Sequence, residues 1–218
     1  HPTNRRQRQM CIRDSFLSFS KRSFKYYLAN DELKLFLSII FVVVLVSTLT
    51  LYMKEGFSVN DSIRYGFFQS ISIVTTTGYT LEPLSGLGGS IGFLIFILAF
   101  IGACSGSVGG GMKVWRVLLM LKVGFSNITK IIHPSAISSV KLNGEKIVSS
   151  QIEAVFSFIA IYVSFFLLFM FILIFQNVDF YSAFSGTAAA INNLGPGLGS
   201  FSENYSTLSD VGLSLIHI

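Results

Sequence analysis

Leu33 to Met53, LKLFLSIIFVVVLVSTLTLYM, runs for 21 residues with a single charge, Lys34, at its edge. As a helix rising 1.5 Å per residue it reaches roughly 30 Å, the thickness of a bilayer's hydrocarbon core. Gln151 to Phe175 is a second such block, with Glu153 at its edge, and Gly88 to Cys104 is a shorter third. Any one of them reads equally well as the core helix of a soluble protein. Together in one chain they do not, because only 12% of the residues are charged and 51% are hydrophobic, where a soluble domain carries about 25% charged residues. The expected fold class is an all-α integral membrane protein embedded in a lipid bilayer.

Several chemistries find no residues to carry them. Cys11 and Cys104 make neither a disulfide framework nor a metal-ligand spacing, and His1, His133 and His217 are scattered. No Ser–His, His–Glu or Asp–Asp set falls within membrane reach, so a membrane enzyme is not expected. Both ends differ from the middle. HPTNRRQRQMCIRDS at 1–15 is polar and basic, and LSLIHI at 213–218 stops abruptly. Both resemble translated adapter sequence, so residues 1–20 are expected to be non-native or a cytoplasmic lead-in, 213–218 non-native, and the chain a piece of a longer protein.

The charges orient the chain. Lys21, Arg22, Lys25 and Lys34 precede or edge the first block, and Lys113, Arg116, Lys122, Lys130, Lys141 and Lys146 follow the third. Lys54 and Arg64 between them are offset by Glu55, Asp61 and Glu82, and 177–210 holds no basic residue. Basic loops stay cytoplasmic, so 113–150 faces inward and 54–87 and 177–210 face outward. The net charge of +5 is then a topology signal and, at 113–146, a grip on anionic lipid. It is not a sign of nucleic-acid binding.

The outward segments repeat one plan at an offset of 117 residues. Gly66 falls on Ala183, Phe67 on Phe184, Val74 on Ile191 and Gly78 on Gly195. Each copy opens with a stretch of about 14 residues, a half-helix of roughly 20 Å, and then meets Thr75–Thr76–Thr77–Gly78 or Gly195–Pro196–Gly197, which cannot continue a helix. Non-helical backbone at membrane depth is tolerated only against protein or a water-filled cavity. Such a loop can turn carbonyls toward an axis and replace an ion's hydration shell, as the TVGYG loop of potassium channels does. Thr76–Thr77–Gly78–Tyr79 aligns with the first four of those residues, and Asn193–Leu194–Gly195–Pro196 less closely. Half-helix C-termini aimed at the cavity favour a cation. The bland alternative for TTTGY is a helix end with a glycine cap.

IGACSGSVGGGMKVWRVLLMLK at 101–122 is too glycine-rich to be one span. Gly106, Ser107, Gly109, Gly110 and Gly111 are expected to break the helix near mid-membrane as a gate, with an amphipathic helix over Val114–Val123 beyond. Lys113 would snorkel to the cytoplasmic interface. A phosphate-binding loop fits poorly, since Met112 intervenes before Lys113 and no Ser or Thr follows. Close packing through small residues is compatible with a gate.

SIVTTTGYT, IGACSGSVGGGMKVWRVLLMLK, HPSAISSVKLNGEKI and AAAINNLGPGLG resemble the TrkH potassium-uptake family, within the wider Trk/Ktr/HKT group, over nearly all of 21–210. The resemblance implies helix–pore loop–helix repeats with re-entrant half-helices, four per chain around one pore. Residues 21–125 would be the third repeat, 126–150 a cytoplasmic connector and 151–212 an incomplete fourth. It further implies K⁺ as the transported ion with no other cofactor, a filter at Thr76, Thr77, Gly78, Tyr79, Asn193, Leu194 and Gly195, and a gating loop at Gly106, Ser107, Gly109, Gly110, Gly111 and Lys113. A homodimer in the bacterial inner membrane and a cytoplasmic nucleotide-binding regulatory subunit beside 122–150 are also implied. Asn192 and Asn193 stand where the first loop has threonines, which predicts an asymmetric filter. A broken-helix secondary transporter and a non-conducting scaffold subunit are the rival readings.

Overall fold

The computed structural model describes residues 30–54, 56–81, 89–107, 109–133, 140–202, 204–206 and 208–217. The lead-in 1–20, the basic residues Lys21, Arg22 and Lys25, Glu55, Glu82, Gly88 and 134–139 lie outside the described residues. Seven α-helices are described: α1 Asp31–Lys54, α2 Val59–Val74, α3 Gly89–Ile101, α4 Val114–Ile132, α5 Ser149–Phe175, α6 Phe180–Ile191 and α7 Asp210–His217. A hairpin, β1 Lys141–Leu142 and β2 Glu145–Lys146, separates α4 from α5.

Among the described residues, α1 and α5 are the two helices long and apolar enough to cross a membrane. α1 carries Phe41, Val42, Leu45 and Leu49 exposed, while Val43, Ser47 and Leu51 are buried. Spacing of four residues puts that second set on one narrow stripe, so most of the helix surface is left to lipid tails and one edge to protein. α3 is shorter, 13 residues, and stops where Gly102 takes φ +68. Residues 102–107 and 109–113 are non-helical, as the glycine run predicts. α4 runs on to Ile132, past the Val123 expected from the pattern, because one glycine, Gly124, costs a helix only about 1 kcal/mol.

The chain divides into two compact units. One holds the described residues of 39–103, 109–111 and 161–218, the other those of 30–38, 104–107 and 112–160. In the second, Leu119, Val123 and Val155 form a core cluster with Trp115, Val140, Ile147, Ile152 and Ile159 packed on it. Asn143 (φ +50) and Gly144 (φ +82) make the two-residue turn of the hairpin, a pairing that favours a type I′ turn. That Asn–Gly signal is legible in the sequence, although the connector reads as a plain loop there. The Asp31 carboxylate accepts from Lys122 Nζ at 2.6 Å, and Asp31 and Asn143 exchange hydrogen bonds, tying the start of α1 to α4 and the hairpin turn.

In the first unit α2 lies against α1. A Cβ on Gly66 would sit 2.6 Å from Thr48 Oγ1 and 3.0 Å from its backbone nitrogen, so only glycine permits that approach. Ser47 and Ser70 hydroxyls meet at 3.3 Å across the same contact. α6 is held by aromatic edges. Phe184 lies 5.3 Å from Phe166 of α5 and 5.9 Å from Phe100 of α3, and Phe100 and Phe166 stand edge to face. Its repeat counterpart Phe67 is 54% exposed, so the two copies of that phenylalanine have different surroundings.

Candidate filter loops and the glycine segment beside them

α2 and α6 are both too short to span a bilayer, 16 and 12 residues, or about 24 and 18 Å. Their starts are capped by the rule for helix N-termini, a short oxygen-bearing side chain accepting from the third backbone N–H on. Ser58 Oγ accepts from Asp61 N, and the Asp179 carboxylate accepts from Ser182 N at 2.9 Å. That backbone bond holds the Asp179 carboxyl below the usual carboxylate range. The helix starts at Val59 and Phe180 differ by 121 positions, whereas the caps Thr75 and Asn192 differ by 117. The second half-helix is therefore one turn shorter at its outer end, more than the one-residue slip visible in the sequence.

At the inner ends the copies coincide. Thr75 and Asn192 sit near φ −81 and −92, Thr76 and Asn193 take φ +55 and +52, and Gly78 and Gly195 take φ +81 and +94. The hydrogen bonds repeat too. Thr75 N donates to Ile71 O, Thr76 N to Ile73 O and Thr77 N to Ser72 O. Asn192 N donates to Ala188 O, Asn193 N to Ala190 O and Leu194 N to Ala189 O. This paired pattern is a Schellman motif, and its left-handed residue is Thr76 or Asn193. The glycine two positions later is not the cap. A glycine-capped helix end therefore does not account for Gly78 and Gly195, whose positive φ serves the chain beyond the turn.

Side chains finish each turn in different ways. Thr75 Oγ1 donates to Ile71 O at 2.7 Å and meets Thr77 Oγ1 at 2.9 Å. Asn192 Nδ2 donates to the equivalent carbonyl, Ala188 O, at 2.8 Å, and its Oδ1 accepts from Tyr162 OH of α5 at 2.6 Å. Asparagine thus keeps the threonine's bond and adds a tie to a membrane-spanning helix. Ser72 Oγ donates to Tyr79 O at 2.6 Å. In the second loop Ser185 Oγ bonds both Leu198 O and Leu198 N. Tyr205 OH donates to Gly195 O at 2.6 Å. Leu194 points its side chain into the core, 2% exposed, while Tyr79 is 74% exposed. Among the described residues the carbonyls of Thr76, Thr77, Gly78 and Asn193 accept no hydrogen bond. They are hard oxygen donors of the kind that suits an alkali cation.

The two loops and part of the glycine segment meet. A Cβ on Gly78 would run into Leu194 O. Gly110 N donates to Thr76 Oγ1 at 2.9 Å, a Cβ on Gly109 would come within 2.6 Å of the same oxygen, and a Cβ on Gly110 would run into Asn192 O. Gly111 (φ +79) packs on Ala99 and Gly102. The glycines at 78, 109 and 110 are thus places where backbone touches backbone.

In the other unit, Gly106 and Ser107 lie in a turn closed by Ser107 N donating to Cys104 O. Lys113 (φ +73) turns its ammonium onto Ser107, donating to the carbonyl at 3.0 Å and the hydroxyl at 3.3 Å. Glu32 is a carboxylate that sequence reasoning missed. It is 3% exposed and accepts from Ser105 N at 2.6 Å and from Ser105 Oγ at 3.1 Å. At the first turn of α1 it reads as an ordinary acidic complement to the helix dipole, so the sequence carries no signal for its reach to Ser105. Tyr162 and Tyr205 were likewise invisible as neighbours of these loops.

The TrkH family model, described as cation transport protein, matches residues 11–218. The Trk system potassium uptake protein TrkH of Escherichia coli (strain K12) is 36% identical over 197 residues, 90% of this chain and 41% of that protein. The protein of the same name from Halomonas elongata is 33% identical, over 88% of this chain and 40% of its own length. The crystal structure of the potassium transporter TrkH from Vibrio parahaemolyticus superposes with a TM-score of 0.84 at 33% identity, covering 93% of this chain and 44% of that one. The chain spans about two fifths of the length of these relatives.

Proposed function

The chain belongs to the TrkH family of cation transport proteins, and from that premise we propose that it supplies two walls of a potassium filter, with the glycine segment beside them as a gate. The carrying observation is the repeated loop: one backbone path in two copies 117 residues apart, with carbonyls left open on both. K⁺ would enter between Thr76–Tyr79 and Asn193–Gly195 together with loops from outside this chain, exchanging water for carbonyl and hydroxyl oxygen. The C-termini of α2 and α6 bring partial negative charge to the same place. An interior-negative potential contributes about 2.3 kcal/mol per charge per 100 mV, so uptake needs no hydrolysis in this subunit.

Gly109 and Gly110 touch Thr76 and Asn192, so any movement of that segment is felt at the filter. Such movement is the proposed gate, with Gly106, Ser107, Gly111 and Lys113 as its flanks. The proposed setting is the bacterial inner membrane, in a homodimer. A cytoplasmic nucleotide-binding regulatory subunit would sit beside 122–150, where α4, the hairpin and the Asp31–Lys122 pair form one packed surface.

The test uses the complete protein in a bacterium lacking potassium uptake, following rubidium entry. Gly78→Ser is expected to weaken discrimination against sodium, and Gly195→Ser likewise. Unchanged selectivity in both would remove these glycines from the filter. Absence of uptake by the unaltered protein, with good membrane expression and the regulatory partner supplied, would favour a scaffold role.

A further inference from the structure

Gly195 is followed by Pro196, which has no backbone N–H. A proline in the sequence therefore removes one of the usual local means of fixing the Gly195–Pro196 peptide. Gly195 itself sits at φ +94, and a Cβ there would meet nothing within 4 Å. Among the described residues the one hydrogen bond that this carbonyl accepts comes from Tyr205 OH, at 2.6 Å.

The phenol is itself well held. Its ring stacks on Phe201 with centroids 5.1 Å apart. Phe201 is 1% exposed, and its ring fills the space over Gly186, where a Cβ would lie 2.7 Å from it. Phe201 O accepts from Gly197 N, and Leu198 is pinned from both sides by Ser185. Tyr205 thus stands on a rigid frame anchored in α6. Burial pushes the phenol up to about 12, so it remains a donor at any physiological pH.

We infer that Tyr205 is a positioning residue of the second filter loop: its hydroxyl sets the orientation of the Gly195 carbonyl and so contributes to ion discrimination. This rests on the proposed filter reading and adds a residue to it. Where ligand number and geometry decide between K⁺ and Na⁺, a carbonyl fixed at one angle discriminates better than one free to follow the smaller ion. Tyr205→Phe removes one oxygen and keeps the ring on Phe201.

The experiment compares unaltered, Tyr205→Phe and Gly195→Ser forms of the complete protein for rubidium uptake against sodium uptake. The expected result is a fall in the rubidium-to-sodium ratio of about fivefold in Tyr205→Phe, the factor one neutral hydrogen bond is worth, and a larger fall in Gly195→Ser. A purely structural role would lower both fluxes together and leave the ratio alone. An unchanged ratio in Tyr205→Phe with an altered one in Gly195→Ser overturns the inference and leaves the filter reading standing. An unchanged ratio in both overturns both. Should Tyr205→Phe carry no flux, thermal protection of the purified complete protein by K⁺ relative to Na⁺ gives the same ratio, and equality with the unaltered protein overturns the inference.

Discussion

At Thr75–Gly78 and at Asn192–Gly195 the backbone repeats itself at an offset of 117 residues, yet different contacts hold the two loops. The first loop is held by its own hydroxyls and by the neighbouring loop. Ser72 and Thr75 bond within the turn, Thr76 receives Gly110 N, and Gly78 abuts Leu194 O. The second is held from behind. Tyr162 reaches Asn192 from α5, Ser185 grips Leu198, and Tyr205 holds Gly195 O. A shared backbone path therefore does not imply equal tolerance of change, and the asymmetry between the two loops lies in the supports more than in the path.

The sharpest break between the loops is expected at their glycines. Gly78→Ala meets both a positive φ and the Leu194 carbonyl, whereas Gly195→Ala meets only the φ, about 1–2 kcal/mol for a left-handed alanine. Thermal midpoints of the purified complete protein should show Gly78→Ala as clearly the worse. Equal midpoints would mean that the Gly78–Leu194 approach is not rigid. Next comes the glycine segment. Gly110→Ala drives a methyl into the Asn192 backbone, while Gly109→Ala meets the Thr76 hydroxyl and, less closely, the Thr75 carbonyl at 3.1 Å. Rubidium uptake should therefore suffer more from Gly110→Ala, and the reverse order would place the tighter contact at the first loop.

A smaller effect is expected at Thr76. Thr76→Val deprives Gly110 N of its acceptor and should cost about 1 kcal/mol, with Thr76→Ser restoring most of it. If Val and Ser behave alike in thermal melts, the hydroxyl is not what joins this segment to the first loop. The smallest difference concerns the outer caps. Ser58→Ala and Asp179→Ala should each cost about 1 kcal/mol near neutral pH. The Asp179 carboxyl is held low by Ser182, so its contribution is present above the unfolded-state value, about 3.9, and is lost as pH falls through the lower folded value. Below that point Asp179→Ala and the unaltered protein should converge, tracked by acid titration of thermal stability.

Much of this was legible in residues alone. The apolar block at 33–53 reads as a span because length and composition suffice for that inference, and α1 runs Asp31–Lys54. The offset of 117 was visible because Gly78 and Gly195 mark positions where backbone angles demand glycine. The one-turn difference at the outer ends was not, since Asp61 and Asp179 fall within one residue of alignment while only Asp179 is the capping residue itself. Asn192 looked like a departure from the threonine pattern. In the structure it keeps the same bond to the carbonyl four residues back, a substitution whose equivalence depends on side-chain reach.

The sequence by itself determined the membrane character, the two half-helices, the break after α3 and the glycines of both loops. Each depends on properties that act within a few residues: hydrophobicity over a helix length, the φ a residue type tolerates, and the hydrogen bond a cap can make. The tertiary structure alone decided that Gly110 rests on Asn192, that Glu32 holds Ser105, that Tyr162 reaches Asn192 and that Tyr205 grips the Gly195 carbonyl. Tyr205 is the instructive case, because it is only ten residues from its partner and still carries no local signature. Its bond exists because Phe201 is seated on Gly186 of α6, and packing of that kind is settled only when the chain has closed on itself.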